Sequence, residues 1–421
     1  MQVVVVIPER VGEAVSVEAG SAASLTQKVC GVGLLVRTLA TAQRAGATEV
    51  LLLWPQSMPA DLAEEFLRSP QLKKKSAAKL IPVSGFDPES RSSWARLRGH
   101  LEGEFVWLPW NWVISARALA NLPKSDLSHP NWATPTWVST IAVVFGASGH
   151  AQPALVPEGI AVTSEETAAA AERFLVARSG KVMDGIHTSF NRRLCRPAVR
   201  WLSHTRITPN AVTFGGVLIS IVSAFAFARG NYWSYVAGAL LFYLAGLFDE
   251  MDGMLARITF ADSPFGTWLE GFADGLSYLL LFGGITIGLY RQHGVRELWV
   301  GAALLVGAIL SLVVTSLQRK RAASADRPNE YLGNFYRKLE EDSGNWISRA
   351  ARQAQGFQRR GIMIHYVVIF TVLGGLPVLF YLATLGSHIT WILVLYFNHR
   401  FYKQSAPGIP VHPTRASQEA S

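Results

Sequence analysis

Six carboxylates and one guanidinium crowd into the stretch DEMDGMLARITFADSPFGTWLEGFAD, Asp249 to Asp274, with long apolar runs on both sides, and four of the six, Asp249, Asp252, Glu270 and Asp274, fall into two spaced pairs beside Arg257. Asp249 and Asp252 are three apart and Glu270 and Asp274 four apart, so on helices each pair shares one face. Charges at membrane depth are costly and persist where they face one another, water or a bound ion. Oxygen-only donors suit Mg²⁺ or Mn²⁺ rather than zinc. Two such ions between paired carboxylates could hold a diphosphate and stabilise both the attacking and the leaving oxygen. Arg257 suits bidentate phosphate contact, and the small Gly253 and Ala256 would let a nucleotide approach the backbone. The blander reading is a set of interfacial acids that cap helices or pair with arginines, and Asp262 is read that way, as a loop or capping residue.

These residues need helices to carry them. After the break Thr208-Pro209-Asn210, six spans fit, each near the ~20 residues that a bilayer requires. They are 211–228, 232–248 (continuing as helix through the acidic motif), 264–290, 297–317, and two from the apolar run 362–397, which Gly374-Gly375-Leu376-Pro377 breaks into a hairpin. Ser263 and Pro264 read as an N-cap with proline at the first helical position. Glu270 and Asp274 then lie two to three turns inside the third span. Residues 319–361 hold ten Lys or Arg, so the positive-inside bias puts both termini and the acidic site in the cytoplasm. Within that run, Arg319, Lys320 and Arg321 could bind a phosphate on an acceptor, or could be ordinary positive-inside anchors.

The chain has 421 residues, a formal charge of +9 and only 16% charged side chains, against roughly 25% in soluble domains. The positive-inside bias accounts for the surplus of Lys and Arg, and no zinc-ligand spacing or basic helix argues for nucleic acid. Cys30 and Cys195 offer no disulfide framework, in keeping with a reducing compartment. The opening run Val3–Ile7 is too short for a signal peptide and reads as a buried strand. Strands at Glu49–Trp54, Leu80–Ser84, Glu104–Leu108 and Thr140–Phe145 interleave with helices at Leu34–Arg44 and Ala60–Leu67, an α/β layered domain. Ser164 caps a helix running to Ala177. Residues 186–206 have the composition of an amphipathic helix on an anionic membrane surface. The expected organisation is a cytoplasmic domain at 1–165, a linker and juxtamembrane helix at 166–206, a membrane domain at 207–403 and a disordered tail at 404–421.

The motif Asp249-x2-Asp252-Gly253-x2-Ala256-Arg257-x8-Gly266-x3-Glu270-x3-Asp274 resembles the signature of the CDP-alcohol phosphotransferases, six-helix membrane enzymes. Its spacing agrees throughout; Glu270 stands where that family has Asp. The resemblance implies Asp249, Asp252 and Glu270 as metal ligands, Asp274 as ligand or general base, and Gly253, Ala256 and Arg257 as contacts to the CDP moiety. It implies attack of an acceptor hydroxyl on the β-phosphorus of a CDP-alcohol with release of CMP. The expected partners are that donor, a polyol phosphate or lipid acceptor, membrane lipids and a second copy of the chain. By element order, residues 1–165 resemble a nucleotidyltransferase domain, as in fusions of inositol-phosphate cytidylyltransferase to di-inositol-phosphate phosphate synthase. Such domains carry a Gly-rich loop with Arg and Lys, and a metal-binding Asp after a later strand. Here Pro8-Glu9-Arg10-Val11-Gly12, Gly20-Ser21-Ala22-Ala23 and Pro109-Trp110-Asn111-Trp112 stand instead, with Lys28 as a remnant lysine. The domain is therefore read as inactive. Two alternatives stay open: a bifunctional enzyme that also makes its CDP-alcohol, and a non-catalytic membrane scaffold or transporter.

Overall fold

The computed structural model describes residues 1–8, 25–72, 77–122, 132–140, 143, 158–180, 186–322, 338, 341–342, 344–354 and 360–402. The N-terminal strand β1 (Gln2–Val6) is buried along its whole length, as a central strand covered on both faces must be. Its side chains alternate between two cores. Val3, Val5 and Ile7 pack into one cluster, and Val4 and Val6 into the other.

A hairpin follows, β2 (Lys28–Val29) and β3 (Val32–Gly33), then helix α1 (Leu34–Arg44), strand β4 (Glu49–Pro55), helix α2 (Ala60–Leu67) and strand β5 (Ala77–Val83). Next come α3 (Arg91–Leu97), β6 (Glu104–Trp107), β7 (Trp112–Ile114), α4 (Ala116–Ala120), β8 (Thr136–Ser139), β9 (Gly159–Ala161) and α5 (Glu165–Arg178). The main sheet has the order β5-β4-β1-β6-β8. Its pairs are parallel except β6 with β8, which run antiparallel. The expected α/β layering is present. The strand expected at Thr140–Phe145 lies earlier, however, where Thr136–Ser139 pairs with β6, while Thr140 and Val143 are helical. Likewise the strand read as Leu80–Ser84 begins at Ala77 and ends at Val83.

Local signals explain several boundaries. Ser164 accepts the Thr167 N–H at 3.2 Å while Thr167 Oγ1 accepts the Ser164 N–H at 2.9 Å, a reciprocal cap on α5. Such a cap contributes ~1 kcal/mol. The β2–β3 turn places Cys30 and Gly31 in the left-handed region, with φ of 48° and 73°. Gly31 is required there twice over, because a Cβ would run into the Ser203 carbonyl at the end of the next helix.

That helix is α6 (Ile186–Ser203). It buries Cys195, Val199 and Leu202 and exposes Phe190, Leu194 and Trp201 on the opposite face. Then follow α7 (Pro209–Ala228), α8 (Tyr232–Thr259), α9 (Pro264–His293), α10 (Arg296–Ala322), α11 (Trp346–Ala354), α12 (Arg360–Val372) and α13 (Leu376–Tyr402). Among the described residues, four helices are long and apolar enough to cross a membrane: Pro209–Ala228, Pro264–His293, Arg296–Leu317 and Leu376–Phe401. The expected count of six is therefore approximate. α8 spends its last turns on the acidic motif, and α12, at 13 residues, spans about 20 Å where a hydrocarbon core needs about 30 Å.

The apolar surface fits a bilayer. Phe214, Leu218, Val222 and Phe225 on α7, and Val378, Leu382, Leu385, Ile389 and Ile392 on α13, are exposed at spacings of three and four. Small residues turn inward instead: Ser220 bonds Ser277 at 3.1 Å, and a Cβ at Gly284 would press on the Ala224 backbone, the close approach favoured between membrane helices. This is an integral membrane protein.

The chain divides into two compact units. One holds Met1–Val182, Arg192–Pro209 and Met251–Ser263; the other holds Met183–Asn191, Asn210–Glu250 and Pro264–Ser421. Helix α8 thus contributes residues to both. The tail expected to be disordered, 404–421, lies outside the described residues, as do the side chains of Arg319, Lys320 and Arg321.

Candidate active site

The acidic motif lies at the end of α8 and the beginning of α9. α9 starts at Pro264, as the Ser263-Pro264 pair predicts, and four residues join the two helices. The helices are antiparallel neighbours: only four residues join them, and the Phe242 and Tyr278 rings lie 6.2 Å apart. Two turns beyond Phe242 comes Asp249; one and two turns before Tyr278 come Asp274 and Glu270. By helical rise, Asp249 is displaced about 10 Å along α8 from Phe242, and Asp274 and Glu270 about 6 and 12 Å along α9 from Tyr278.

The first turns of α9 are strongly two-faced. Phe265, Trp268 and Phe272 form a stacked ladder with centroids 5.9 and 5.4 Å apart, and all three are exposed. Glu270 and Asp274 each follow a ladder residue by two positions, about 200° around the helix, so the acids point away from the aromatic face. Both are part-buried.

On α8, Asp252 is 4% exposed. Gly253 gives room to Arg257 one turn on, since a Cβ there would lie 3.2 Å from Arg257 Nη1. Arg257 Nε donates to the Ser179 carbonyl at 2.6 Å, which orients its guanidinium. Asp262, read from sequence as a loop or capping residue, lies in the loop between α8 and α9 and pairs with Arg44 at 2.6 Å. Among the described residues, no group of three or more His, Cys, Asp or Glu side chains is gathered closely enough to hold a metal ion. The donors are nonetheless all carboxylate oxygens, the chemistry that suits Mg²⁺ or Mn²⁺.

In the α/β unit, β6 continues into Leu108, whose N–H reaches the Val4 carbonyl at 3.0 Å. The following residues are committed to packing. The Trp110 carbonyl accepts Thr38 Oγ1 at 2.8 Å. Asn111 Nδ2 reaches the Val162 carbonyl at 3.2 Å, and its own carbonyl accepts Val162 N at 2.9 Å. No carboxylate stands at this strand end. Residues Glu9–Gly12 and Gly20–Ala23 lie outside the described residues, and Lys28 is exposed on β2.

Residues 206–340 match the family model described as CDP-alcohol phosphatidyltransferase. Phosphatidylinositol phosphate synthase of Mycobacterium marinum (strain ATCC BAA-535 / M) is 29% identical over 136 residues, 32% of this chain and 56% of that protein. CDP-diacylglycerol–glycerol-3-phosphate 3-phosphatidyltransferase of Pseudomonas fluorescens is 32% identical over 110 residues, 26% of this chain and 53% of that protein. A bifunctional IPC transferase and DIPP synthase of Aquifex aeolicus (strain VF5) is 26% identical over 237 residues, 56% of this chain and 49% of that protein. The chain spans about half the length of these relatives.

Proposed function

We propose that this chain, whose residues 206–340 form a CDP-alcohol phosphatidyltransferase domain, moves a substituted phosphate from a CDP-alcohol to an acceptor hydroxyl and releases CMP. The observation that carries this reading is the match of residues 206–340 to the CDP-alcohol phosphatidyltransferase family model, a range that contains the whole motif from Asp249 to Asp274. Asp249, Asp252, Glu270 and Asp274 would hold two Mg²⁺ or Mn²⁺ ions, which supply charge neutralisation at the diphosphate when bound. Arg257, fixed through Nε on Ser179, turns the rest of its fork toward the Gly253 side of α8, where a phosphate can meet it bidentately. Asp274 takes the proton of the acceptor hydroxyl as that oxygen bonds to the β-phosphorus. The bond from that phosphorus to the bridging oxygen breaks, and CMP departs with the electron pair. The site and both termini face the cytoplasm, on the argument from the basic run 319–361.

The test uses the full chain in lipid vesicles with CDP-diacylglycerol and either glycerol 3-phosphate or inositol phosphate. CMP release that requires Mg²⁺ or Mn²⁺ and stops with EDTA is the expected result. An intact protein releasing no CMP from any CDP-alcohol would favour a scaffold or transporter.

A second reading has its own support, because the match to the bifunctional Aquifex aeolicus protein extends well beyond the length of the 206–340 domain. In it the α/β unit also makes the CDP-alcohol. Against it stands the strand end Leu108–Asn111, which carries packing residues and no carboxylate. Pyrophosphate release from CTP and a polyol phosphate by the full chain would establish the bifunctional reading.

A further inference from the structure

Helix α8 stops in an unusual way. Phe260 has φ of 59°, and the Ala261 N–H reaches back to the Ala256 carbonyl at 3.0 Å, the six-to-one bond of a Schellman ending. Glycine ordinarily occupies that left-handed position; another residue there costs ~1–2 kcal/mol. Something must hold Phe260, and two arginines of α1 do.

Arg37 and Arg44 are seven residues apart, on one face of α1. Their guanidinium carbons lie 5.0 and 4.5 Å from the Phe260 ring centroid. Arg37 Nη2 donates to the Ile258 carbonyl at 2.7 Å and to the Val29 carbonyl at 2.6 Å. Arg44 Nη2 donates to the Phe260 carbonyl at 3.2 Å and pairs with Asp262. The last carbonyls of a helix lack donors from within it and form the negative end of its dipole, so cations stabilise them. Arg37 is 2% exposed. A guanidinium is taken out of water only where its donors are used, and here they tie the hairpin strand β2 to the end of the motif helix.

We infer that Arg37, supported by Arg44, is a positioning residue for the transfer: from α1 it caps α8 and fixes the rotation of that helix, and with it the direction of Asp252 and Arg257. The functional half of this inference rests on the proposed phosphotransfer; the capping half does not. Arg257 is held from the same compact unit, by Ser179, so the motif helix is fixed there by both α1 and the end of α5.

Full-length Arg37→Met, Arg37→Lys and Arg44→Met proteins in vesicles test it, by hydrogen exchange of the 251–263 amides and by CMP release from CDP-diacylglycerol. Arg37→Met is expected to raise exchange in 255–261 by about tenfold or more while β1 and β4 stay protected. It should lower kcat by about tenfold or more with the acceptor KM little changed. Arg37→Lys should restore part of both, and Arg44→Met should move both in the same direction by less. Unchanged exchange in 255–261, or unchanged kcat with raised exchange, overturns the inference. So does loss of protection throughout the α/β unit in every variant, which would reduce the arginines to ordinary fold residues. If Arg37→Met does not fold, Arg44→Met and Arg37→Lys decide. Wild-type protein that releases no CMP sinks the phosphotransfer reading alone, and the exchange result still judges the cap.

Discussion

At the scale of single residues, Glu172 shows how charge is managed outside the motif. It is 5% exposed and accepts the Cys30 N–H at 3.0 Å, Arg200 Nε at 2.8 Å and His204 Nε2 at 2.9 Å. Burial by itself would raise its pKa, but Arg200, the Cys30 N–H and His204 together hold the carboxyl below the ordinary value. A folded-state pKa below the unfolded one gives stability that is present above the unfolded value and lost as pH falls through the folded one. The α/β unit should therefore loosen progressively below pH about 4.5. Glu172→Gln should flatten that acid limb in thermal melts, and an unchanged limb would move the cause to other carboxylates. In the motif, Asp249→Asn and Asp274→Asn should each lower CMP release by about 100-fold or more. Glu270→Asp should keep or improve turnover, because only one methylene separates the two ligands. Asp262→Asn loses a half-exposed pair worth about 0–1 kcal/mol, so its CMP release should stay near wild type. The motif residues were legible because charges beside apolar runs stand out and their spacing is local. Arg37 was not: it reads as one basic residue in a helix, and its partner Ile258 lies 221 positions away. Its one signal in the sequence is a charge set in the apolar run LLVRTLA of α1.

At the scale of elements, the same division between local and distant causes recurs. Pro264 and Ser164 start their helices where the sequence places those starts, since a cap or a fixed φ acts on its own neighbours, whereas α7 begins at Pro209, two residues ahead of the expected 211. The edge strand was misplaced because Thr136–Ser139 and Thr140–Phe145 are both short and rich in β-formers. Pairing with β6, and the Trp107–Trp132 edge-to-face contact at 4.9 Å, select the first. Between α7 and α9 packing is set by absence of side chain. Gly284→Leu should force those helices apart at a cost of about 1–3 kcal/mol or more, read as a lowered unfolding temperature in detergent. Gly271→Ala, where a Cβ meets nothing within 4 Å, is the matched control and should melt like wild type.

At the scale of the whole molecule, the division into units cuts α8 between Glu250 and Met251, so the α/β unit is incomplete without Met251–Ser263. Deleting 1–182 should leave the apolar helices able to enter the membrane yet abolish CMP release, checked by membrane fractionation alongside the assay. Undiminished release would show that the motif helix orders itself unaided. A ribosome making this chain meets the same constraint in time. Domains generally fold in order as they emerge, but here the first unit waits for a piece supplied only after α7 and most of α8 have been synthesised. Its maturation is tied to insertion of the spans that precede that piece, so a chain stalled at the membrane would carry an unfinished, protease-sensitive head.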